Sequence, residues 1–130
     1  MPGSSLSFRR ELEARIDPIF AALGVLHEAQ EAHAARLRNL DDAVLSSRNA
    51  ATKAMIAWDL YRLQDLEVAQ AQAASALLDA EATCLTLPPT TLAGSIAVLM
   101  FLKDYLKAEP DLSLAVIGVG NVAAMLSTVA

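Results

Sequence analysis

The stretch Leu85-Thr86-Leu87-Pro88-Pro89-Thr90-Thr91-Leu92-Ala93-Gly94 separates two parts of this chain that differ in composition. Proline has no backbone N–H and disfavours helix in the residue before it, so the paired prolines predict a helix end near Leu85. A threonine hydroxyl can accept an unpaired N–H of a first helical turn. We therefore expect a new helix near residue 92, capped by Thr90 or Thr91.

The composition limits both the size and the class of the protein. A chain of 130 residues that is 55% hydrophobic fits one domain, and its alanine-rich, glycine-poor composition favours helix. The net charge of −5 has the wrong sign for a general nucleic-acid binder. Cys84 is the single cysteine and the first ten residues hold no apolar run, so we expect a cytoplasmic protein rather than a secreted one.

Upstream of the prolines, the pattern predicts a long antiparallel helical hairpin over about 17–85. Asp17-Pro18 reads as an N-cap followed by proline at the first helical position, with one helix kinked at Pro18 as the alternative. Polar residues at 46–49 predict the hairpin turn; without that turn, one helix would run on to Leu85.

Each arm of the hairpin carries apolar positions in alternating steps of three and four residues. The first series contains a polar layer at Gln30 and His33 between leucines and isoleucines. The second runs Ile56, Asp59, Leu63, Leu66, Gln70, Ala73, Leu77, Ala80 and Cys84. A turn near residue 47 would place His33 near Arg62.

Downstream, two shorter apolar helices are predicted over about 92–107 and 112–128, after a turn at 86–91. Residues 112–130 contain no charged side chain. In that segment, a mostly small-sided strip predicts a surface where two copies of the chain meet. The strip consists of Ala115, Gly118, Asn121 and Val122.

No pattern in the sequence predicts an enzyme, a cofactor or a metal site. Gly118-Val119-Gly120-Asn121-Val122-Ala123 has the spacing of a dinucleotide-binding turn, but no acidic residue or strand follows it, so close helix packing explains the glycines better. His27 and Glu31 share a helix face without a third ligand. Cys84 has no neighbouring base in sequence to form a thiolate.

Pro88-Pro89-Thr90-Thr91-Leu92-Ala93-Gly94 resembles a segment of a group of short uncharacterised alphaproteobacterial proteins, in which Thr-Pro-Ala-Thr-Thr-Leu-Ala-Gly joins two helices. Ile19-Phe20-Ala21-Ala22-Leu23 is similar to their first helix and Ala57-Trp58-Asp59 to their second. Pro89 stands where the group has alanine. The resemblance implies a helical protein but brings no activity or functional residue.

Together these observations predict an all-α protein, a helical hairpin followed by two apolar helices. We expect a non-enzymatic interaction or assembly protein that self-associates through an unknown protein surface, with no nucleic-acid partner. Two alternatives remain open at this point. The uncharged C-terminal segment also suits a membrane-associated helical protein, and the small size suits a transcriptional or antitoxin-like regulator.

Overall fold

The computed structural model describes residues 11–12, 15–48, 53–108 and 110–129, with side chains at these positions except 47, 53–59 and 129. The described residues form four complete helices and no strand. The helices are α1 (Pro18–Arg48), α2 (Lys53–Thr86), α3 (Leu92–Tyr105) and α4 (Leu112–Val129). The predicted all-α class is confirmed.

The chain divides into two compact units. Unit 1 comprises Met1–Leu26 and Ala80–Ala130, and unit 2 comprises His27–Asp79. Unit 1 thus contains the start of α1, the end of α2 and both helices that follow the prolines. Unit 2 contains the rest of α1 and α2.

Helix α1 begins where the sequence places an N-cap. Asp17 is not helical, Pro18 is the first helical residue, and the Asp17 carboxylate accepts a hydrogen bond from the Ile19 N–H. Residues 15–16 are helical as well. The helical conformation is therefore interrupted at Asp17. This is the predicted arrangement in which proline occupies the first helical position, rather than one helix kinked at Pro18.

Unit 1 has an apolar core to which all four helices contribute. Its fully or almost fully buried large side chains are Ile19, Leu26, Leu85, Val98, Leu102 and Val122. Helices α3 and α4 pack against each other. On α3 the buried face is formed by Gly94, Ser95, Val98 and Leu102, so one side of this helix is buried and the opposite side is not.

Unit 2 differs from the predicted seam at two points. Gln30 is exposed, and the half-buried residue of that turn is Ala29, one position earlier. His33 is half-buried, but its neighbour is Gln70 rather than Arg62. The sequence pattern favoured the larger side chains, whereas the structure turns small alanines such as Ala29 and Ala43 inward, where a short side chain permits close packing.

The remaining boundaries lie close to the predicted ones. Helix α1 continues to Arg48, through Ser46 and Ser47 of the predicted turn, and residues 49–52, including Asn49, lie outside the described residues. Ile56 and Asp59 of the second seam also lie outside the described side chains. The last two helices span Leu92–Tyr105 and Leu112–Val129.

Candidate functional site

The carboxylate of Asp17 is a buried polar group with several hydrogen-bond donors around it. Its residue is only 2% exposed. Oδ1 accepts from the Ile19 N–H at 3.1 Å, while Oδ2 accepts from the Thr90 N–H at 3.1 Å and the Thr91 N–H at 3.0 Å. The Thr91 hydroxyl donates to the same Oδ2 at 2.7 Å. Four donors thus satisfy a carboxylate that would be costly to bury alone.

Thr91 links this carboxylate to the start of α3. It is the N-cap of α3 with an extended backbone, and its Oγ1 accepts from the Gly94 N–H at 3.0 Å while donating to Asp17. Of the two threonines in the prediction, Thr91 therefore provides the capping side chain. Thr90 is exposed and contributes its backbone N–H to Asp17 instead.

Gly94 gives the carboxylate the space that it occupies. A Cβ atom added at Gly94 would overlap Asp17 Oδ2 and lie 2.9 Å from Ile19 Cγ2. Any side chain at position 94 would push Asp17 away from the Thr91 hydroxyl. Asp17, Thr91 and Gly94 form one structural unit, which we call the Asp17 junction.

A second polar contact compensates for the missing N–H of Pro89. In a continuing helix, the Leu85 carbonyl would accept the N–H of residue 89, which proline does not have. Here the Asn121 side chain supplies the donor, with its Nδ2 at 3.2 Å from the Leu85 oxygen. Through Asn121, helix α4 thereby supplies a hydrogen bond to a carbonyl at the end of α2 that the prolines leave without a helical partner.

This contact revises the predicted self-association strip. Ala115 and Val122 are buried, and a Cβ atom at Gly118 would lie 2.8 Å from Leu85 Cδ2. Asn121 is half-buried and bonded to Leu85. The strip faces the core of its own unit because its small residues admit Leu85, so it is not available to a second copy.

Cys84 lies buried beside this contact. Burial raises the pKa of its thiol to about 11, and the neighbouring Glu81 carboxylate adds to the rise. The thiol is therefore neutral at pH 7, and a neutral buried thiol is a poor nucleophile. Its position is that of a small core residue, as its place in the second seam predicts.

The histidines do not come together in one site. His27 Nε2 lies 3.1 Å from Glu31 Oε1 on an exposed face of α1. His33 Nε2 lies 3.4 Å from the Gln70 side-chain nitrogen, within reach of a long hydrogen bond. Within the described part of the chain, no group of three His, Cys, Asp or Glu side chains is placed to hold a metal ion.

The outward faces of α3 and α4 carry several exposed large apolar side chains. On α3 the exposed large side chains are Leu92, Ile96, Leu99, Met100 and Leu106, the last just beyond the helix end. On α4 they include Leu112, Val116 and Val119, in a helix without any charged residue. Among the described helices, none is both long and apolar enough to cross a membrane.

Comparison with known proteins gives no match to a family model, to a curated protein or to a solved structure. The resemblance to the short alphaproteobacterial proteins thus stays a prediction. What the Asp17 junction can do follows from its own chemistry. Its acceptors are already hydrogen-bonded and its donors are buried, so its role is to join the starts of α1 and α3.

The sequence contains signals for each half of the junction but not for their meeting. Asp17 before Pro18 and Thr91 after the prolines are both recognisable caps. The bond between them joins residues 74 positions apart. Gly94 is the one further signal, because a glycine in the first turn of a helix indicates that another group approaches closely there.

Proposed function

We propose that this protein is a non-enzymatic helical interaction or assembly protein that self-associates through the exposed apolar faces of α3 and α4 in unit 1. The observation that carries the proposal is the outward face of α4. Leu112 is 67% exposed, Val116 is 71% exposed, and the whole helix lacks charge. Exposed apolar surface of this kind commonly marks an interaction site.

The charge pattern distinguishes this face from other exposed hydrophobic residues. Val25 on α1 is also 59% exposed, but Glu28 lies one turn away. Val68 on α2 directly follows Glu67 and lies three residues after Asp65. Isolated apolar side chains of that sort are normal on a protein surface. On α4, by contrast, the apolar side chains follow one another without a charged neighbour in the helix.

We also propose that α1 and α2 form an antiparallel hairpin in unit 2. The support is the proximity of His33 and Gln70, together with only four residues between the end of α1 and the start of α2. Half-buried seam residues on α2, such as Leu63, Leu66 and Leu77, fit the same arrangement. In this proposal the hairpin is the scaffold and unit 1 provides the surface for association.

The compartment is part of the proposal. A chain with one buried cysteine gains no disulfide from an oxidising environment, which favours the cytoplasm. The Asp17 junction and Asn121 supply structural bonds rather than reacting groups. Both features support a structural rather than a catalytic role.

The experiment is a concentration series by sedimentation equilibrium on the wild-type chain and two matched variants. Val116→Lys places a charge on the outward face of α4, and Val25→Lys places the same charge at a valine of α1 that is also more than half exposed. We expect wild type and Val25→Lys to associate alike, with Val116→Lys weakened at least about tenfold. A wild-type chain that remains monomeric throughout would refute self-association.

A further inference from the structure

The outward face of α4 carries larger side chains toward its N-terminal end than toward its C-terminal end. One side of the helix presents, in chain order, the exposed residues Leu112, Val116, Val119, Gly120, Ala123 and Ser127. The exposed Leu126 lies at the edge of this side, and the size gradient concerns the other six. The first three are large and the last three are small. Apart from its chain neighbours and the backbone of its own helix, nothing lies within 4 Å of the position that a Cβ of Gly120 would take, so its surface is open.

We infer that the occupant of this face is a second copy of the same helix, packed antiparallel about a twofold axis between Val119 and Gly120. This inference rests on the proposed self-association and specifies its geometry. In such a pair each large residue meets a small one. Leu112 faces Ser127, Val116 faces Ala123, and Val119 faces Gly120 of the partner copy.

The size gradient favours this orientation over a parallel one. A parallel pair would set Leu112 against Leu112 and Val116 against Val116, while Ala123 met Ala123 at the other end. The helices would then splay at one end and leave a gap at the other. Large-to-small pairing lets both ends approach closely, and a twofold contact requires a surface complementary to itself.

The absence of charged residues on α4 makes this helix the place where a second copy meets the least repulsion. Each chain carries a net charge of −5, so two copies repel over most of their surface. Helix α4 has no acidic or basic residue, so a copy bound there buries no unpaired charge and faces no like charge. A partner selected by electrostatic complementarity would find nothing to recognise on this face.

One helix face per copy makes a small interface. The 18 residues of α4 extend about 27 Å, and specific interfaces below about 1,200 Å² in total are typically weak. We therefore expect a dimer that dissociates at micromolar concentrations. Sedimentation equilibrium up to about 0.5 mM covers that range.

The first experiment compares one substitution at two glycines. Gly120→Leu blocks the position where Val119 of the partner docks, whereas Gly24→Leu adds the same side chain to another open glycine, in α1. We expect Gly120→Leu to weaken dimerisation at least tenfold while its circular dichroism stays helical, and Gly24→Leu to dimerise like wild type. Equal dimerisation of the two variants would overturn the inference but leave self-association standing.

The second experiment measures orientation by disulfide formation in a Cys84→Ala background. An equimolar mixture of Val116→Cys and Ala123→Cys chains, one of them isotopically labelled, should form the mixed disulfide. Val116→Cys alone should cross-link far less. Efficient cross-linking of Val116→Cys with itself would overturn the antiparallel geometry.

Two further outcomes separate this inference from the proposed function. A wild-type chain that is monomeric at all concentrations would overturn both. If that monomer co-sediments with phosphatidylcholine vesicles and Gly120→Lys abolishes the binding, the face belongs to a lipid surface instead. Dimerisation lost in Val116→Lys but retained in Gly120→Leu would support the proposed function and overturn the pairing register described here.

Discussion

The two units of this protein each contain a polar contact between distant parts of the chain, and the contacts differ in kind. In unit 1, Asp17 receives four hydrogen bonds of 2.7 to 3.1 Å in a buried position. In unit 2, His33 and Gln70 share one contact of 3.4 Å where both are half-buried. A buried, fully bonded charge fixes one geometry, whereas a long contact near water tolerates several.

The difference follows from what each contact joins. The Asp17 junction satisfies N–H groups at the starts of α1 and α3, which have no partner within their own helices. His33 and Gln70 lie in the middle of helices whose backbone groups are already bonded. Loss of the first contact leaves buried donors unpaired, while loss of the second does not.

The largest effect should come from Asp17→Ala, which removes the acceptor of four donors at once. We expect a loss of about 4 kcal/mol in unfolding free energy, a large share of the 5 to 15 kcal/mol typical of small domains. Asp17→Asn keeps one carbonyl oxygen but replaces the other acceptor with an NH₂ group, so it should cost about 2 kcal/mol. Urea denaturation followed by circular dichroism measures both.

If Asp17→Ala does not fold, the prediction is tested by comparing the stability of Asp17→Asn with that of wild type. An Asp17→Asn protein as stable as wild type would show that the carboxylate is not needed at the junction. The four hydrogen bonds to Asp17 would then result from the packing of the helices and would not stabilise it.

Gly94→Ala should have the next largest effect. The added Cβ overlaps Asp17 Oδ2, so the carboxylate must move away from Thr91, and we expect destabilisation by about 3 kcal/mol. Gly24→Ala is the control, because that helical glycine is open and alanine favours helix. It should stabilise the protein by up to about 1 kcal/mol. Effects of the same sign in thermal unfolding would contradict the close approach at Gly94.

How far the sequence predicts these two regions depends on the range of the interactions. The helix start at Pro18, the end of α2 before the prolines and the cap before α3 are local, because each follows from the chemistry of a few adjacent residues. The sequence predicts the end of α2, places the cap of α3 at one of two adjacent threonines, and gives the helix start at Pro18 as one of two alternatives. The meeting of Asp17 with Thr91 depends on tertiary packing, which local patterns do not encode.

The wrong predictions, for the seam position of Gln30 and for the association face of α4, have a physical reason of the same kind. Gln30 and Ala29 differ by one position, and hydrophobicity alone does not show which of them faces inward when an alanine competes with a longer side chain. On α4 nearly every position is apolar, so the pattern does not tell which face is buried. Leu85 and Asn121 decide this, and the open face lies on the opposite side.

A smaller effect is expected from Thr91→Ala, which removes one donor to Asp17 and the acceptor for the Gly94 N–H. We expect a loss of about 2 kcal/mol, at the upper end for a lost cap. Thr91→Ser keeps the hydroxyl and should recover most of it. Thr90→Ala should change stability by less than about 0.5 kcal/mol, because that side chain is exposed and only its backbone N–H is used. A larger loss of stability in Thr90→Ala than in Thr91→Ala would show that Thr91 is not the capping residue.

The smallest effect should come from His33 and Gln70, and it tests the comparison directly. A double-mutant cycle with His33→Leu and Gln70→Leu measures their interaction energy, which we expect to be below about 0.5 kcal/mol. The partly accessible amide left by one substitution can bond to water, and two leucines fill the half-buried space with apolar groups. The double variant should therefore be as stable as wild type or more so. The matched cycle with Asp17→Asn and Thr91→Ala should give an interaction energy above about 1 kcal/mol. Equal interaction energies in the two cycles would mean that burial and the number of hydrogen bonds do not distinguish the two contacts. The His33–Gln70 contact would then fix its helices as firmly as Asp17 fixes the start of α3.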